Sequence, residues 1–113
     1  MEKIVEQTLL YDFYGELLTE HQKGIYEAVV FNDYSLSEVA DELGISRQGV
    51  HDIIKRCNKL LNDYENKLYL VEKFIKTKKL AENIKILTKE YINSRNDNLL
   101  VEIEILSTEI EKL

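Results

Sequence analysis

The sequence predicts an all-α protein with a helix-turn-helix domain and long C-terminal helices that form a helical bundle or a dimerisation arm. Proline is absent and glycine occurs only four times in 113 residues, so few positions interrupt a helix. Apolar residues recur at three- and four-residue spacings, and strand-like alternation is nowhere sustained. One stretch, residues 36–55, has the full pattern of a helix-turn-helix. We expect the helix-turn-helix domain at residues 1–62 and the C-terminal segment at residues 63–113.

The N-terminal segment predicts two amphipathic helices. The first covers about residues 3–18, because its apolar residues form one wide stripe. That stripe consists of Ile4, Val5, Leu9, Leu10, Phe13, Tyr14, Leu17 and Leu18. The second helix covers residues 20 to about 31. Its start is marked by Thr19 and Gln22, which have the spacing of a capping box.

The helix-turn-helix is expected as one helix over residues 36–43 and a second over residues 47–62. Ala40 stands where the two helices touch, a place that admits only a small side chain. Gly44 stands in the turn, which requires a backbone conformation that glycine adopts at low cost. Five apolar side chains are expected to face inward: Val39, Leu43, Ile45, Val50 and Ile53.

Both motif helices also carry start signals. Ser35 and Glu38 have the spacing of a capping box for the first helix, and Ser46 is a natural N-cap for the second. The small residue, the glycine, the five apolar positions and the two caps agree with one another, which indicates a structural motif rather than a chance match.

The second motif helix need not stop at residue 62, because its apolar repeat continues. The residues of this repeat are spaced alternately four and three positions apart: Val50, Ile54, Cys57, Leu61, Tyr64, Leu68, Val71 and Ile75. A 3.5-residue repeat is the spacing at which two helices wind around each other. We therefore assign the residues from Ile54 to Ile75 in this repeat to the core or to a dimer interface. After Ile75 the phase slips, as expected if the chain turns back or a stutter intervenes.

The remaining sequence predicts two further apolar stripes. The first restarts the spacing at Leu80, Ile84, Leu87 and Tyr91. Residues 94–98 form a polar turn, with Asp97 available as a cap for the last helix. That helix carries Leu99, Leu100, Ile103, Leu106, Ile110 and Leu113 on one face. Because these stripes exceed what one small core can absorb, we expect a homodimer formed through the C-terminal helices.

Charge is distributed unevenly along a chain whose net charge is −6. Residues 1–62 hold 6 basic and 11 acidic side chains, whereas residues 67–95 hold 8 basic and 3 acidic ones. Residues 97–113 return to one base against five acids. One interpretation is that these are solvated helix faces, the acidic tail neutralising the basic helix. The other is a binding surface for RNA or another polyanion, made by Lys73, Lys76, Lys78 and Lys79.

The second motif helix predicts a DNA-binding surface. Its outward positions are Ser46, Arg47, Gln48, His51, Asp52, Lys55, Arg56 and Lys59. Arg47 could pair with guanine and Gln48 with adenine, because each offers two hydrogen bonds at the spacing of a base edge. The basic residues from Lys55 to Lys59 are better placed for phosphates, which supply affinity without sequence information.

Asp52 favours the opposite interpretation. Its carboxylate repels phosphate unless it accepts a hydrogen bond from cytosine or restrains Gln48, Lys55 or Arg56. Residues 35–60 carry four acids against four bases, so strong nonspecific DNA binding is not expected. The alternative is a helix-turn-helix that serves as a scaffold or as a protein-contact surface.

Other classes of function find little support in the sequence. No apolar run approaches the ~20 residues that span a bilayer, and the acidic N-terminus is unlike a secretory signal, so we expect a cytoplasmic protein without membrane insertion. The single cysteine, Cys57, fits a reducing compartment. His51 and Cys57 point to different sides of one helix, and the sequence has neither metal-ligand spacing nor a phosphate-binding glycine loop. We therefore expect no catalytic residues, no metal and no cofactor.

Three segments carry a resemblance to a known family. They are LLYDFYGELLTEHQ, LSEVADELGISRQGVHDIIKR and the pattern LxxYExKLxLVEKF. With them the chain resembles the YlxM family of small bacterial proteins over about residues 4–75. Residues 19–61 are also similar to the promoter-reading fourth region of sigma factors, a likeness shared by many helix-turn-helix proteins.

The YlxM resemblance implies an all-helical cytoplasmic protein with a DNA-binding motif. Members typically accompany the genes of the signal recognition particle and its receptor, which implies a role in that protein-targeting pathway. Two hypotheses follow. In one, the protein is a dimeric regulator that reads DNA. In the other, it is an accessory of the signal recognition particle that contacts the particle's RNA or its GTPase through the basic C-terminal helix.

Overall fold

A computed structural model describes residues 2–113 of the chain. Over those residues the protein consists of helices and has no strand, which confirms the all-α prediction. The α-helices are α1 (Lys3–Tyr14), α2 (Glu20–Tyr26), α3 (Leu36–Leu43), α4 (Arg47–Leu68), α5 (Leu70–Ser94) and α6 (Asn98–Glu111). Backbone contacts divide the chain into two compact units, Met1–Tyr69 and Leu70–Leu113. Within residues 2–113, no helix is both long and apolar enough to cross a membrane.

The two N-terminal helices form where the sequence predicts them, but each ends in a different helical form. After α1 the chain tightens into a 3-10 turn over Gly15–Leu17, and after α2 it widens into a π turn over Glu27–Phe31. The capping box of α2 is present. The Thr19 hydroxyl accepts from the Gln22 N–H at 3.1 Å, and the Gln22 amide oxygen accepts from the Thr19 N–H at 3.0 Å.

The core of the first unit lies where α4 packs against the three preceding α-helices. Its buried apolar cluster comprises Ile25, Val39, Ala40 and Val50, with Ala28, Val29, Leu36, Ile53 and Ile54 packed around it. Tyrosines extend the core. The Tyr11 and Tyr26 rings stack with centroids 5.4 Å apart, and the buried Tyr26 hydroxyl donates to Asn58 Oδ1 at 2.7 Å.

Helix α4 continues past the domain boundary that we placed after residue 62 and ends at Leu68. Tyr69 follows in the left-handed conformation (φ 56°, ψ 26°), and its N–H donates to the Glu65 carbonyl at 2.9 Å. The apolar repeat is therefore shared between two helices. Its register breaks between Leu68 and Val71, so the repeat does not form one uninterrupted helix over residues 50–75.

The repeat residues differ widely in burial. Cys57 and Leu61 are fully buried in the single chain, and Val71 is buried as well. Ile54, Tyr64 and Ile75 are half-buried, whereas Leu68 is 48% exposed. Cys57 and Leu61 thus belong to the core of the monomer and are not available to a partner helix.

The second unit is an antiparallel hairpin of α5 and α6. Helix α5 runs without a break through residues 75–80, so the slip in the apolar repeat corresponds neither to a turn nor to a break in the helix. The chain turns at Arg95, which has a positive φ of 58°. Asp97 occupies the N-cap position of α6, as expected, but its side chain makes no cap hydrogen bond. Instead, Asn96 Oδ1 accepts from the Asn98 N–H at 3.0 Å.

Candidate nucleic-acid interface

The turn between α3 and α4 has the geometry that the sequence predicts. Gly44 adopts the left-handed conformation (φ 69°, ψ 32°) at the end of α3, and the Ile45 N–H donates to the Ala40 carbonyl at 3.1 Å. Ala40 is buried between the helices. These contacts fix the angle at which α4 leaves the turn.

Side-chain caps define the starts of both motif helices. The Ser35 hydroxyl accepts from the Glu38 N–H at 3.0 Å, and the Glu38 carboxylate accepts from the Ser35 N–H, which completes the capping box of α3. The Ser46 hydroxyl accepts from the Gly49 N–H at 2.9 Å at the start of α4. A cap of this kind stabilises a helix by about 1 kcal/mol. Ser46 is therefore a structural residue of the candidate interface, whichever partner it meets.

Three of the five residues predicted to face inward do so. Val39 and Val50 are buried and Ile53 is half-buried. The prediction is wrong for Leu43 and Ile45, which are 39% and 41% exposed. Both flank Gly44 in the turn, and turns lie at the protein surface, where side chains stay partly accessible to solvent.

The structure places all eight candidate DNA-contact residues at the surface, each with an exposed side chain. They are Ser46, Arg47, Gln48, His51, Asp52, Lys55, Arg56 and Lys59. At 100° per residue, the seven that lie within α4 fall in one half of the helix circumference, opposite Val50, Cys57 and Leu61. The core contacts of the buried half leave the opposite half of α4 free over three turns.

Local contacts distinguish the basic residues on this face. Lys59 Nζ lies 2.9 Å from Asp63 Oδ2, a pair at i,i+4 spacing that the sequence contains but that our prediction overlooked. Arg47, Lys55 and Arg56 form no ion pair with another residue in the range 2–113. The three cations are therefore free to meet phosphates or base edges.

Asp52 is held by a neighbour one turn earlier in α4. Gln48 Nε2 donates to Asp52 Oδ1 at 2.9 Å, and His51 Nδ1 lies 4.0 Å from the same oxygen. The contact uses one N–H of the Gln48 amide and leaves the other N–H and the carbonyl oxygen, the pair of groups that would recognise adenine. Asp52 thus positions Gln48 while adding a negative charge to the face.

The rest of the first unit is strongly acidic. Residues 2–46 carry ten carboxylates against two lysines, Lys3 and Lys23. Lys23 Nζ donates to Glu16 Oε1 at 3.0 Å, and this hydrogen bond is the main reason that the pKa of Lys23 is raised. Because carboxylates repel phosphate, residues 2–46 present an unfavourable surface to a nucleic acid, whereas the exposed half of α4 carries four of the seven lysines and arginines in residues 2–69.

The four candidate lysines of α5 are all exposed but do not form one face. Lys73, Lys76 and Lys79 follow at three-residue spacing and lie on one side of the helix, whereas Lys78 lies on another. Lys76 is paired with Glu72, with Nζ and Oε1 3.0 Å apart. A polyanion lying along one side of α5 could therefore contact three of the four.

Cys57 is the one cysteine of the chain, and its side chain is buried. Burial raises the pKa of the Cys57 thiol, which disfavours the reactive thiolate. Among residues 2–113, no group of three or more histidine, cysteine or carboxylate side chains is arranged to hold a metal ion.

Comparison with known proteins agrees with this geometry. The model of the family UPF0122, described as "Putative helix-turn-helix protein, YlxM / p13 like", matches residues 1–102. The chain belongs to this family. The match confirms the YlxM resemblance seen in the sequence, and the family is described by its helix-turn-helix rather than by a reaction.

Relatives in the UPF0122 family come from several bacteria. The chain is 40% identical over 114 residues to a UPF0122 protein of Anoxybacillus flavithermus, covering all of this chain and 98% of the relative. It is 44% identical over 110 residues to one of Thermoanaerobacter sp. (strain X514), covering 94% of this chain and 92% of the relative. Over 84 residues it is 51% identical to one of Acetivibrio thermocellus, covering 74% of this chain and 72% of the relative.

Proposed function

We propose that this protein is a bacterial regulator that binds duplex DNA with the exposed half of α4 and acts in the signal recognition particle pathway as a cytoplasmic homodimer. One observation carries the DNA-binding part. A helix-turn-helix places Arg47, Gln48 and Lys55 on one exposed half of a capped helix, and the two cations have no ion-pair partner in residues 2–113. A helix presented in this way fits the major groove, where side chains near its N-terminus reach base edges.

Each residue then has a role that its position supports. Arg47, at the start of α4, makes a bidentate contact with guanine, and Gln48, held by Asp52, recognises adenine. His51, one turn further along on the same half, reaches the next base edge. Lys55, Arg56 and Lys59 contact phosphates and set the register of the helix in the groove.

The expected DNA affinity depends strongly on sequence and only modestly on salt. The exposed half of α4 carries few cations, and the rest of the first unit is acidic, so phosphate contacts are few. Binding to random duplex is therefore weak, and a selected sequence is needed to recruit the base contacts.

The first experiment selects a site from randomised duplex with the full-length protein and measures affinity by fluorescence anisotropy. The double variant Arg47→Ala/Lys55→Ala is expected to lose at least about tenfold in affinity and to reduce the salt slope, because a base contact and a phosphate contact are both removed. A matched control, Lys85→Ala/Lys89→Ala, removes the same charge from exposed positions of α5. Equal losses in the two variants, or none in the first, would refute recognition by α4.

The pathway part of the proposal is supported by the resemblance to the YlxM family, whose members accompany the genes of the targeting machinery. A second candidate function follows from the lysines. In a chain of net charge −6, α5 carries six lysines, all exposed, which suits contact with the particle's RNA. In this alternative the helix-turn-helix serves as a protein surface, and the particle's GTPase is the other candidate partner.

A binding titration separates the two functions. Signal-recognition-particle RNA, the GTPase subunit and random duplex DNA are titrated with the full chain and with a variant in which Lys73, Lys76, Lys78 and Lys79 are glutamine. RNA binding that the glutamine variant loses, and that Arg47→Ala/Lys55→Ala keeps, supports the accessory role. RNA binding that survives in the glutamine variant contradicts the lysine assignment.

A further inference from the structure

The C-terminal hairpin leaves an apolar trough along one of its sides. Of its residues, only Val71 is buried, and α6 has no buried residue at all. The seam between the two helices is half-buried, whereas Ile86 on α5 and Ile105 on α6 are both 54% exposed. Two helices alone cannot enclose an apolar layer, so this side requires a further element to cover it.

The trough is continuous over several helical turns. One cavity of about 400 Å³ is lined by Asn83, Ile86, Leu87, Glu102, Ile105 and Leu106. A second, of about 330 Å³, is lined by Lys76, Lys79, Leu80, Asn83, Glu109 and Leu113. Asn83 belongs to both, so the two cavities adjoin on the same side of the hairpin. The resulting trough has an apolar middle and an end with charged walls.

The two walls of the trough carry opposite charge. Lys76 and Lys79 stand on the α5 wall, and Glu102 and Glu109 on the α6 wall. The helices differ in the same way: α5 has six lysines against three glutamates, and α6 has four glutamates and no basic residue. A partner that matches this trough must therefore present an acidic wall to α5 and a basic wall to α6.

We propose that a second copy of this hairpin fills the trough, in a four-helix bundle with a two-fold axis parallel to the helices. Such an axis lays each α5 over the α6 of the other copy and keeps residues at the same height along the bundle. Lys79 and Glu109, which share one cavity, then face the Glu109 and Lys79 of the second copy. An axis across the helices would instead place α5 on α5, lysine wall against lysine wall, so charge selects the parallel axis.

The second copy fits the trough in size as well as in charge. The trough runs along the hairpin, so a hairpin of the same length covers it, and Ile86 and Ile105 of both copies form the new apolar layer. Neither Lys79 nor Glu109 has an ion-pair partner within residues 2–113 of its own chain. The inference rests on the homodimer of the proposed function and specifies its interface.

Sedimentation velocity of the full chain without DNA tests the interface. Wild type is expected to be a dimer at micromolar concentration, and Ile86→Glu to raise the dissociation constant at least about tenfold, because it buries a carboxylate in the apolar layer. The matched control is Ile92→Glu. Ile92 is 57% exposed on the same helix, about 120° around it from Ile86 and outside the trough lining. A monomeric wild type, or equal behaviour of the two variants, would overturn the proposal.

A charge exchange tests the direction of the axis. Lys79→Glu alone faces Glu109 of the second copy and weakens the dimer, whereas Lys79→Glu/Glu109→Lys restores the pairing with its sign reversed. Circular dichroism checks that each variant keeps its helix content. If the double variant is no tighter than the single one, the axis assignment is wrong.

Failure of the dimer proposal can be distinguished from failure of the DNA-binding proposal. A monomeric Ile86→Glu variant keeps the exposed half of α4 and can be titrated against a single half-site. If wild type proves monomeric and still binds the selected site through Arg47, the trough proposal fails while DNA recognition stands.

Discussion

Two glycines of the first unit offer a matched test of the turn that orients α4. Gly44 has a positive φ of 69°, whereas Gly24 lies within α2. A Cβ atom built on either residue meets no atom within 4 Å, so neither substitution to alanine causes a steric clash. Any difference between Gly44→Ala and Gly24→Ala therefore comes from the backbone conformation alone.

The two substitutions are expected to change the free energy of unfolding in opposite directions. An alanine in the left-handed region costs about 1–2 kcal/mol. Replacing glycine also lowers the conformational entropy of the unfolded chain, which stabilises the folded protein by about 0.4–1 kcal/mol. Gly44→Ala should therefore lower the free energy of unfolding by about 1 kcal/mol. Gly24 lies within α2, so Gly24→Ala has no such conformational cost and should raise the free energy of unfolding by about 0.5–1 kcal/mol.

Urea unfolding followed by circular dichroism at 222 nm measures both variants against wild type, and an unchanged m-value shows that the same surface is exposed. The variant Gly44→Asn tests the same backbone argument. Asparagine tolerates the left-handed region better than alanine, so it should lose less stability than Gly44→Ala. The reasoning is refuted if Gly44→Ala stabilises the protein as Gly24→Ala does.

Three further predictions concern the core, the DNA face and alkaline pH. Val50→Ala should lower the free energy of unfolding by about 2 kcal/mol, because the side chain is fully buried, whereas exposed Val101→Ala should change it by less than about 0.5 kcal/mol in the same urea assay. Asp52→Asn should tighten binding to random duplex about threefold or more, as measured by anisotropy, because the substitution removes a negative charge. The asparagine amide oxygen can still accept the hydrogen bond from Gln48. Weaker binding would contradict this prediction. Burial raises the pKa of Tyr26 from 10.0 to about 12, so the unfolded chain ionises first and stability should fall as pH rises from about 10 to 12. Tyr26→Phe should show a smaller loss between pH 9 and pH 11, and an equal loss would exclude Tyr26 as the source.

The helix-turn-helix could be predicted from sequence because its signals are local. A capping box needs only two residues three apart, and the pairs at Thr19 and Ser35 formed as expected. Likewise, the conformation that Gly44 adopts is a property of one residue, and the tight contact at Ala40 depends on its small size. Each of these features is decided within a few residues of its own position.

The end of α4 could not be predicted in this way. Neither a glycine nor a proline marks the break, and Tyr69 adopts a left-handed conformation that tyrosine does not favour. Local propensity therefore offers no warning that the helix ends at this point. The same limit applies to Leu43 and Ile45, whose apolar character predicts burial that the turn does not provide.

The sequence by itself determined that the chain is helical, where the motif helices begin and which half of α4 is polar. These features depend on the spacing of apolar residues, on helix caps and on residue size. Only the tertiary structure decided what the apolar stripes contact. It placed Cys57 and Leu61 inside the monomer and left Ile86 and Ile105 at the surface of the hairpin. The physical reason is that an apolar stripe has the same periodicity whether its own chain or a second copy covers it.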